Sequence, residues 1–104
     1  DYSYHIIKNN ANGVLLDNVT IQDGNANGIG LDANGAGLLN NGSITLNNIK
    51  MLYCYANGQG AFIDNHNNII FKGGSVKIQP GQTSVIMNRS GANLTIENNV
   101  NIED

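Results

Sequence analysis

Charge is scarce in this sequence, and so are proline, cysteine and aromatic side chains. Only 12% of the 104 residues are charged, and the formal net charge is -3. That excludes the basic surface a phosphate backbone requires, and with it nucleic acid as a partner. The single cysteine, Cys54, excludes an intrachain disulfide framework, and no Cys/His cluster has zinc-ligand spacing. It reads instead as a small buried apolar residue. No apolar run approaches the roughly 20 residues of a membrane span, and no charged-then-apolar leader opens the chain. Because residue 1 is Asp and not Met, a processed mature chain or an excised piece is expected.

What is plentiful is asparagine and glycine, 20 and 13 residues against one proline. These two residues tolerate left-handed backbone conformations better than any others, so the chain must turn often. Apolar spacing at i, i+3, i+4, i+7 is not sustained anywhere, and the density of Asn and Gly penalises helix by several tenths to about 1 kcal/mol per residue. Helix is excluded as the main element.

A long period takes its place. The segments NVTI (18–21), SITL (43–46), NIIF (68–71) and NLTI (93–96) return every 25 residues. Stacked at that spacing, the columns read Val19, Ile44, Ile69, Leu94; then Thr20, Thr45, Ile70, Thr95; then Ile21, Leu46, Phe71, Ile96. Alternate strand residues face opposite sides, which turns the first and third columns inward and the second outward. A second apolar-x-apolar unit follows each anchor: Ile29 and Leu31, Ile49 and Met51, Val76 and Ile78, Val100 and Ile102. A third precedes it: Val14 to Leu16, Leu38 and Leu39, Phe62 and Ile63, Val85 to Met87. An antiparallel sandwich has no reason to keep a constant long period, whereas a coil must match the circumference below it. The expectation is an all-β, single-stranded parallel β-helix, a solenoid of about four rungs with three short strands each, filling residues 1–104 as one domain.

The polar position before each anchor is Asn18, Ser43, Asn68 and Asn93. Stacked at a bend, such side chains form a ladder, because an amide carries donors and an acceptor that bond both to the next rung and to the turn backbone. A second partial ladder is expected at Asp23, Asn48, Gly73 and Asn98. Asn-Gly pairs beginning at 12, 27, 34, 41 and 57 mark further bends with positive φ.

Triplets and ladder together resemble the right-handed parallel β-helix repeats of the pectate-lyase-like superfamily, over nearly the whole chain. The segments ANLTIENNVNI and GQGAFIDN are similar to passenger repeats of bacterial surface adhesins such as the chlamydial polymorphic membrane proteins, with their GGA(I/L/V) and FxxN tetrapeptides. Here GQGAF stands in place of GGA followed by Ile, Leu or Val, and FKGG (71–74) has no Asn at its fourth place. The resemblance implies a right-handed coil at a cell surface or outside the cell.

Many β-helices cleave polysaccharides, but a glycosidase needs two carboxyl groups about 5 to 9.5 Å apart. Asp17, Asp23 and Asp64 fall in different columns of the 25-residue frame, so no acid/base pair is expected and no catalytic residue is assigned. Two columns stack opposite charges, Lys72 with Glu97 and Asp64 with Arg89, as exposed pairs worth about 0 to 1 kcal/mol each. His66 reads as a solvated loop residue. The segment DGNANGIGLD (23–32) opens like a calcium loop, with Asp23, Asn25, Asn27 and Asp32 as oxygen ligands, but Asn34 occupies the place of the bidentate Glu. The weak calcium site competes with an outward loop that lengthens the first rung. Outward Thr20, Thr45 and Thr95 are good strand residues in a column broken by Ile70.

Neither end reads as capped, so open rungs are expected to meet copies of the chain or flanking rungs. The leading functional expectation is a non-catalytic structural segment of a secreted or cell-surface protein, either a rod segment or an end-to-end stacking fibre subunit. The alternative is an adhesin-type binding module that contacts a glycan or host protein through its loops, with Tyr53 and Tyr55 as the contact patch. A polysaccharide-active enzyme is a minor third.

Overall fold

The computed structural model describes residues 5–26, 28, 33–78, 84–97 and 99–103. Among them there is no α-helix, and hence none long and apolar enough to cross a membrane. The strands are β1 (Ile7–Asn9), β2 (Val14–Asp17), β3 (Thr20–Gln22), β4 (Asn25–Ala26), β5 (Leu38–Asn40) and β6 (Ser43–Leu52). They continue as β7 (Tyr55–Ala56), β8 (Ile63–Asn65), β9 (Asn68–Lys77), β10 (Ile86–Asn88), β11 (Asn93–Ile96) and β12 (Val100–Glu103).

Every pairing is parallel. One sheet has the order β1-β5-β8-β10. The second is built on β6 and β9, with β2 and β3 end to end along the free side of β6 and β11 and β12 along the free side of β9. A third, small sheet joins β4 to β7. The chain therefore visits the first sheet and then the second four times in the same order, and each pass bonds to the one before it.

The ten-residue strands owe their shape to a left-handed bend each, at one residue in β6 and at two, Gly73 and Gly74, in β9. In β6, Ile44 and Leu46 are buried and so are Ile49 and Met51, a change of parity that a regular strand cannot make. Asn48 makes it, with φ of 54°; Asn18 sits between β2 and β3 with φ of 57°, and Gly73 in β9 has φ of 72°. Asn and Gly are the residues that adopt this conformation most readily. Behind the bend, a β-carbon on Gly74 would collide with the Ile49 carbonyl oxygen, so the close approach of the two strands requires glycine. Both arms of each strand thus turn apolar side chains to one core, where Leu46, Ile49, Met51, Ile69, Phe71 and Val76 meet Leu38, Phe62 and Ile63. Each such side chain contributes about 1.5 to 3 kcal/mol on burial.

The 25-residue return holds at the later anchors, is 23 from β8 to β10 and 26 from β9 to β12, and fails for the first pass. Ile44, Ile69 and Leu94 are in register as expected, but their partner in the first pass is Val14, 30 residues before Ile44, and not Val19. Val19 lies exposed at the bend, and Ile21 aligns with Met51 and Val76. Two apolar-x-apolar units, at 14–16 and 19–21, stand five residues apart, and either fits the pattern. The choice was made by the segment from Ala26 to Leu38, five residues longer than its counterpart from Ala56 to Ile63. The strand preceding the anchor in the first pass is accordingly Ile7–Asn9 and not Val14 to Leu16. In the third pass Ile49 pairs with Gly74 and Met51 with Val76, two residues before the expected Val76 and Ile78. Ile29 and Leu31 lie outside the described residues.

The ladder forms at the expected corner but on the other side of the turn, at the end of the first sheet's strands and not at the start of the second's. Ser43, Asn68 and Asn93 do share a column, but Asn68 and Asn93 are exposed, and Asn18 is not among them. Asn18 accepts a bond from Asn48 at the left-handed bend, so it belongs to the second column, from which Asp23 drops out to align with Tyr53. Asn98 lies outside the described residues. The ladder is Asn9, Asn40 and Asn65, all buried, continued by Asn88, which is exposed, in the registers of the first sheet. Asn9 Nδ2 donates to Asn40 Oδ1 at 2.9 Å, Asn40 Nδ2 to Asn65 Oδ1 at 2.9 Å, and Asn65 Nδ2 to Asn88 Oδ1 at 2.8 Å. Each central amide also holds its own turn: Asn40 donates to the Gly42 and Asn68 carbonyls and accepts from the Gly42 amide. Of the Asn-Gly bends, Gly13 and Gly35 have positive φ, while Gly42 and Gly58 do not.

Asn40→Ala strands several buried partners at once, each worth about 1 to 3 kcal/mol, so urea denaturation should register a loss of roughly 3 kcal/mol or more. Asn93→Ala, in the column first expected to form the ladder, should stay within about 0.5 kcal/mol of the parent. Equal losses at the two positions would remove the ladder from its central role.

Candidate functional site

The densest polar cluster outside the ladder centres on Asp64, the middle residue of β8. Its side chain lies on the face of the first sheet opposite Ile63 and Asn65, yet none of its surface reaches solvent. Arg89 Nε donates to Asp64 Oδ1 at 2.7 Å and Nη2 to Oδ2 at 3.1 Å, and His66 Nε2 stands 3.0 Å from Oδ2. The cover comes from Gly35, which bonds to the Gly60 carbonyl and lies so near that a β-carbon there would stand 2.8 Å from that of Asp64. A carboxylate so enclosed must be paired, and the bidentate guanidinium meets that need. The hydrogen bond to Asp64 raises the Arg89 pKa above its ordinary value.

The Asp64–Arg89 pair forms, but not in one column: Asp64 aligns with Met87, and Arg89 reaches the carboxylate from two residues beyond, in a pair enclosed on its acidic side and not freely exposed. His66 joins it and is no solvated bystander, since side chains two apart on one turn reach the same carboxylate. Lys72 and Glu97 adjoin in register without an ion pair. Asp64 has both oxygens engaged, and no group of three His, Cys, Asp or Glu able to hold a metal occurs among the described residues.

Tyr53, Cys54 and Tyr55 follow the end of β6. Tyr53 adopts φ of 52°, unusual for an aromatic residue, and its amide bonds to the Lys77 carbonyl. The two tyrosines are 39% and 41% exposed while Cys54 is fully buried between them, so both rings turn away from the core. They do not share one strand: Tyr53 is at the bend and Tyr55 in β7, where its hydroxyl donates to Asn57 Oδ1. Burial pushes the Cys54 thiol up to about 11. It is therefore an inert thiol near neutral pH.

Of the calcium-loop residues, Asp23 is exposed with φ of 60°, and Asn25 lies in β4 with its Oδ1 buried and without a partner. Asn27 and Asp32 lie outside the described residues. On the outer face of the second sheet, Leu15, Thr45 and Ile70 line an open groove of about 370 Å³. Its walls hold no titratable side chain, and the outward Thr column is interrupted there by two exposed apolar residues, Leu15 and Ile70. The sequence matches no protein-family model, no curated protein and no solved structure.

Removing one partner of an enclosed ion pair costs far more than removing an exposed one. Arg89→Ala should destabilise by about 2 to 4 kcal/mol, below the full buried-pair range because Arg89 is partly exposed and His66 remains. Glu97→Ala should change stability by less than about 0.5 kcal/mol, and the two chemical denaturation curves decide the contrast. The Cys54 thiol generates a pH prediction. Its pKa rises from 9.0 in the open chain to about 11 in the fold, so its stabilisation is complete below pH 9 and lost as the pH climbs through 11. Over that interval the parent should lose about 2 to 3 kcal/mol relative to Cys54→Ala, read from denaturation midpoints at matched pH. Parallel pH profiles for the two proteins would contradict this.

Proposed function

We propose that the chain is a segment of a parallel β-helix with a structural, non-catalytic role in a secreted or cell-surface protein, one that extends by stacking at its ends. A single observation carries this reading. Along one inward column, Leu46 and Phe71 are fully buried and Ile96 is 39% exposed; along another, Met51 and Val76 are fully buried and Ile102 is 48% exposed. Positions that belong to the core become surface at the edge formed by β11 and β12. Such an edge combines unpaired backbone groups with apolar side chains, the two things a further strand would satisfy.

The ladder supports the same reading. It runs in one direction, with each Nδ2 donating to the next Oδ1, and Asn88 Nδ2 ends it against the Ala92 carbonyl alone. One hydrogen of that amide remains for an acceptor beyond the edge, and Asn9 opens the ladder at the opposite edge. The enclosure of Asp64 between Arg89 and His66 speaks for structural and not acid/base use of that carboxylate. Exposed Tyr53 and Tyr55 favour a second reading, a binding module that grips a glycan or host protein by aromatic contact.

Sedimentation of the purified chain over a wide concentration range tests the stacking role. The mass should rise with concentration, and electron micrographs of the assemblies should carry the repeat of about 4.8 Å expected of hydrogen-bonded strands along the axis. Ile96→Lys with Ile102→Lys should abolish the rise while leaving the folded spectrum intact, whereas Tyr53→Ala with Tyr55→Ala should leave it untouched. A parent that stays monodisperse at every concentration sinks the stacking role and promotes the tyrosine surface.

A further inference from the structure

Five Asn-Gly dipeptides in one small chain present a chemical hazard, because this pair converts readily to aspartate. The backbone nitrogen of the glycine attacks the asparagine side-chain carbonyl carbon, ammonia leaves, and a five-membered succinimide forms. Water then opens that ring to aspartate or to isoaspartate, whose backbone is one carbon longer. Water is the sole co-reactant. Asparagine is for this reason a thermolabile residue. The reaction needs a glycine N–H that can give up its proton and an amide free to swing onto it.

In the fold, the glycine N–H is engaged at all four Asn-Gly pairs that lie within the described residues. Gly35 donates to the Gly60 carbonyl at 2.8 Å, Gly58 to the Ala33 carbonyl at 2.7 Å, Gly42 to Asn40 Oδ1 at 3.3 Å, and Gly13 to Ser43 Oγ at 2.8 Å. The asparagine amides differ more. Asn34 Oδ1 accepts from the Gln59 backbone, Asn41 Nδ2 donates to Asn10 Oδ1, and Asn57 Oδ1 accepts from the Tyr55 hydroxyl. Three of the four pairs are thus held at both reacting groups.

Asn12–Gly13 is the exception. Both residues are exposed, no described residue bonds the Asn12 amide, and a β-carbon on Gly13 would meet nothing within 4 Å. The glycine N–H is held only by a rotatable serine hydroxyl from the next pass, in an exposed bond. From this contrast we infer that Asn12 is a modification site: the asparagine at which the folded chain undergoes spontaneous conversion to aspartate and isoaspartate, with Ser43 as the group that slows it. Hydrogen bonds hold the side chains of Asn34, Asn41 and Asn57, although Asn41 and Asn57 are themselves exposed, and leave the turn between β1 and β2 to age first. Conversion there adds a negative charge, and in the isoaspartate product an extra backbone carbon as well, two residues before Val14 and the start of the second sheet. Asn27 lies outside the described residues, so the ranking covers the other four pairs.

The test is incubation of the folded chain at mildly alkaline pH, followed by peptide mapping by mass spectrometry for amide-to-acid conversion and isoaspartate at each pair. Asn12 should convert first, with Asn34, Asn41 and Asn57 unchanged over the same interval. In urea, where every glycine N–H is released, the four pairs should convert at similar rates. Ser43→Ala should speed conversion at Asn12 about fivefold, the factor that corresponds to losing one hydrogen bond of about 1 kcal/mol. Ser43→Thr, which retains the hydroxyl, should keep the parent rate and so separates the bond from any general loosening of the turn. Conversion of Asn34, Asn41 or Asn57 as fast as Asn12 in the folded protein overturns the assignment, as does a Ser43→Ala rate equal to that of the parent.

Discussion

Four asparagine side chains, bonded in series from Asn9 through Asn40 and Asn65 to Asn88, close the corner between the two large sheets. Buried amides tolerate no idle donor or acceptor, and each central member of this series satisfies its own turn as well as its neighbours above and below. That requirement ties successive passes into one register at this corner, however long the connections elsewhere. The first pass carries its five extra residues between β4 and β5, away from this corner. The strands of the first sheet end at this corner and those of the second follow from it, both in parallel register.

A second constraint acts on the long strands. A ten-residue strand with strict alternation would bury one arm and expose the other. The left-handed residues at Asn18, Asn48 and Gly73 reverse the parity once per pass, so both arms of β6 and β9 face the same interior. The central strands β6 and β9 have neighbours on both sides, and their inward apolar side chains are buried. The strands at the edge have the same inward residues and lack the neighbour that would cover them, which is why the proposed role of the chain is found at its edges and not in a cleft.

The sequence revealed much of this, unevenly. The apolar-x-apolar triplets at 44–46, 69–71 and 94–96 read true because β-branched and aromatic residues alternate there without interruption. The first pass misled because NVTI imitates the later anchors better than GVLL (13–16) does, although GVLL is the strand in register. The ladder was misplaced for a related reason: with so many asparagines, composition cannot say which column faces inward. Asn40 and Asn65 were distinguishable only as residues two beyond a buried Leu38 and Ile63 on a short strand. Asp64 and Arg89, 25 residues apart, were visible as a pair, but neither the part of His66, which reads as a solvated loop residue, nor the close approach of Gly35 to Asp64 was.

By itself, then, the sequence determined the element type, the parallel return and the period of the later passes, since these follow from local alternation and repeat length. Only the tertiary structure decided which of two equivalent triplets begins the second sheet, which asparagines are buried, and which charged group is enclosed. The reason is physical: register and burial depend on where a segment distant in sequence comes to rest, and an insertion of five residues between Ala26 and Leu38 alters neither the alternation nor the turn vocabulary from which the pattern is read.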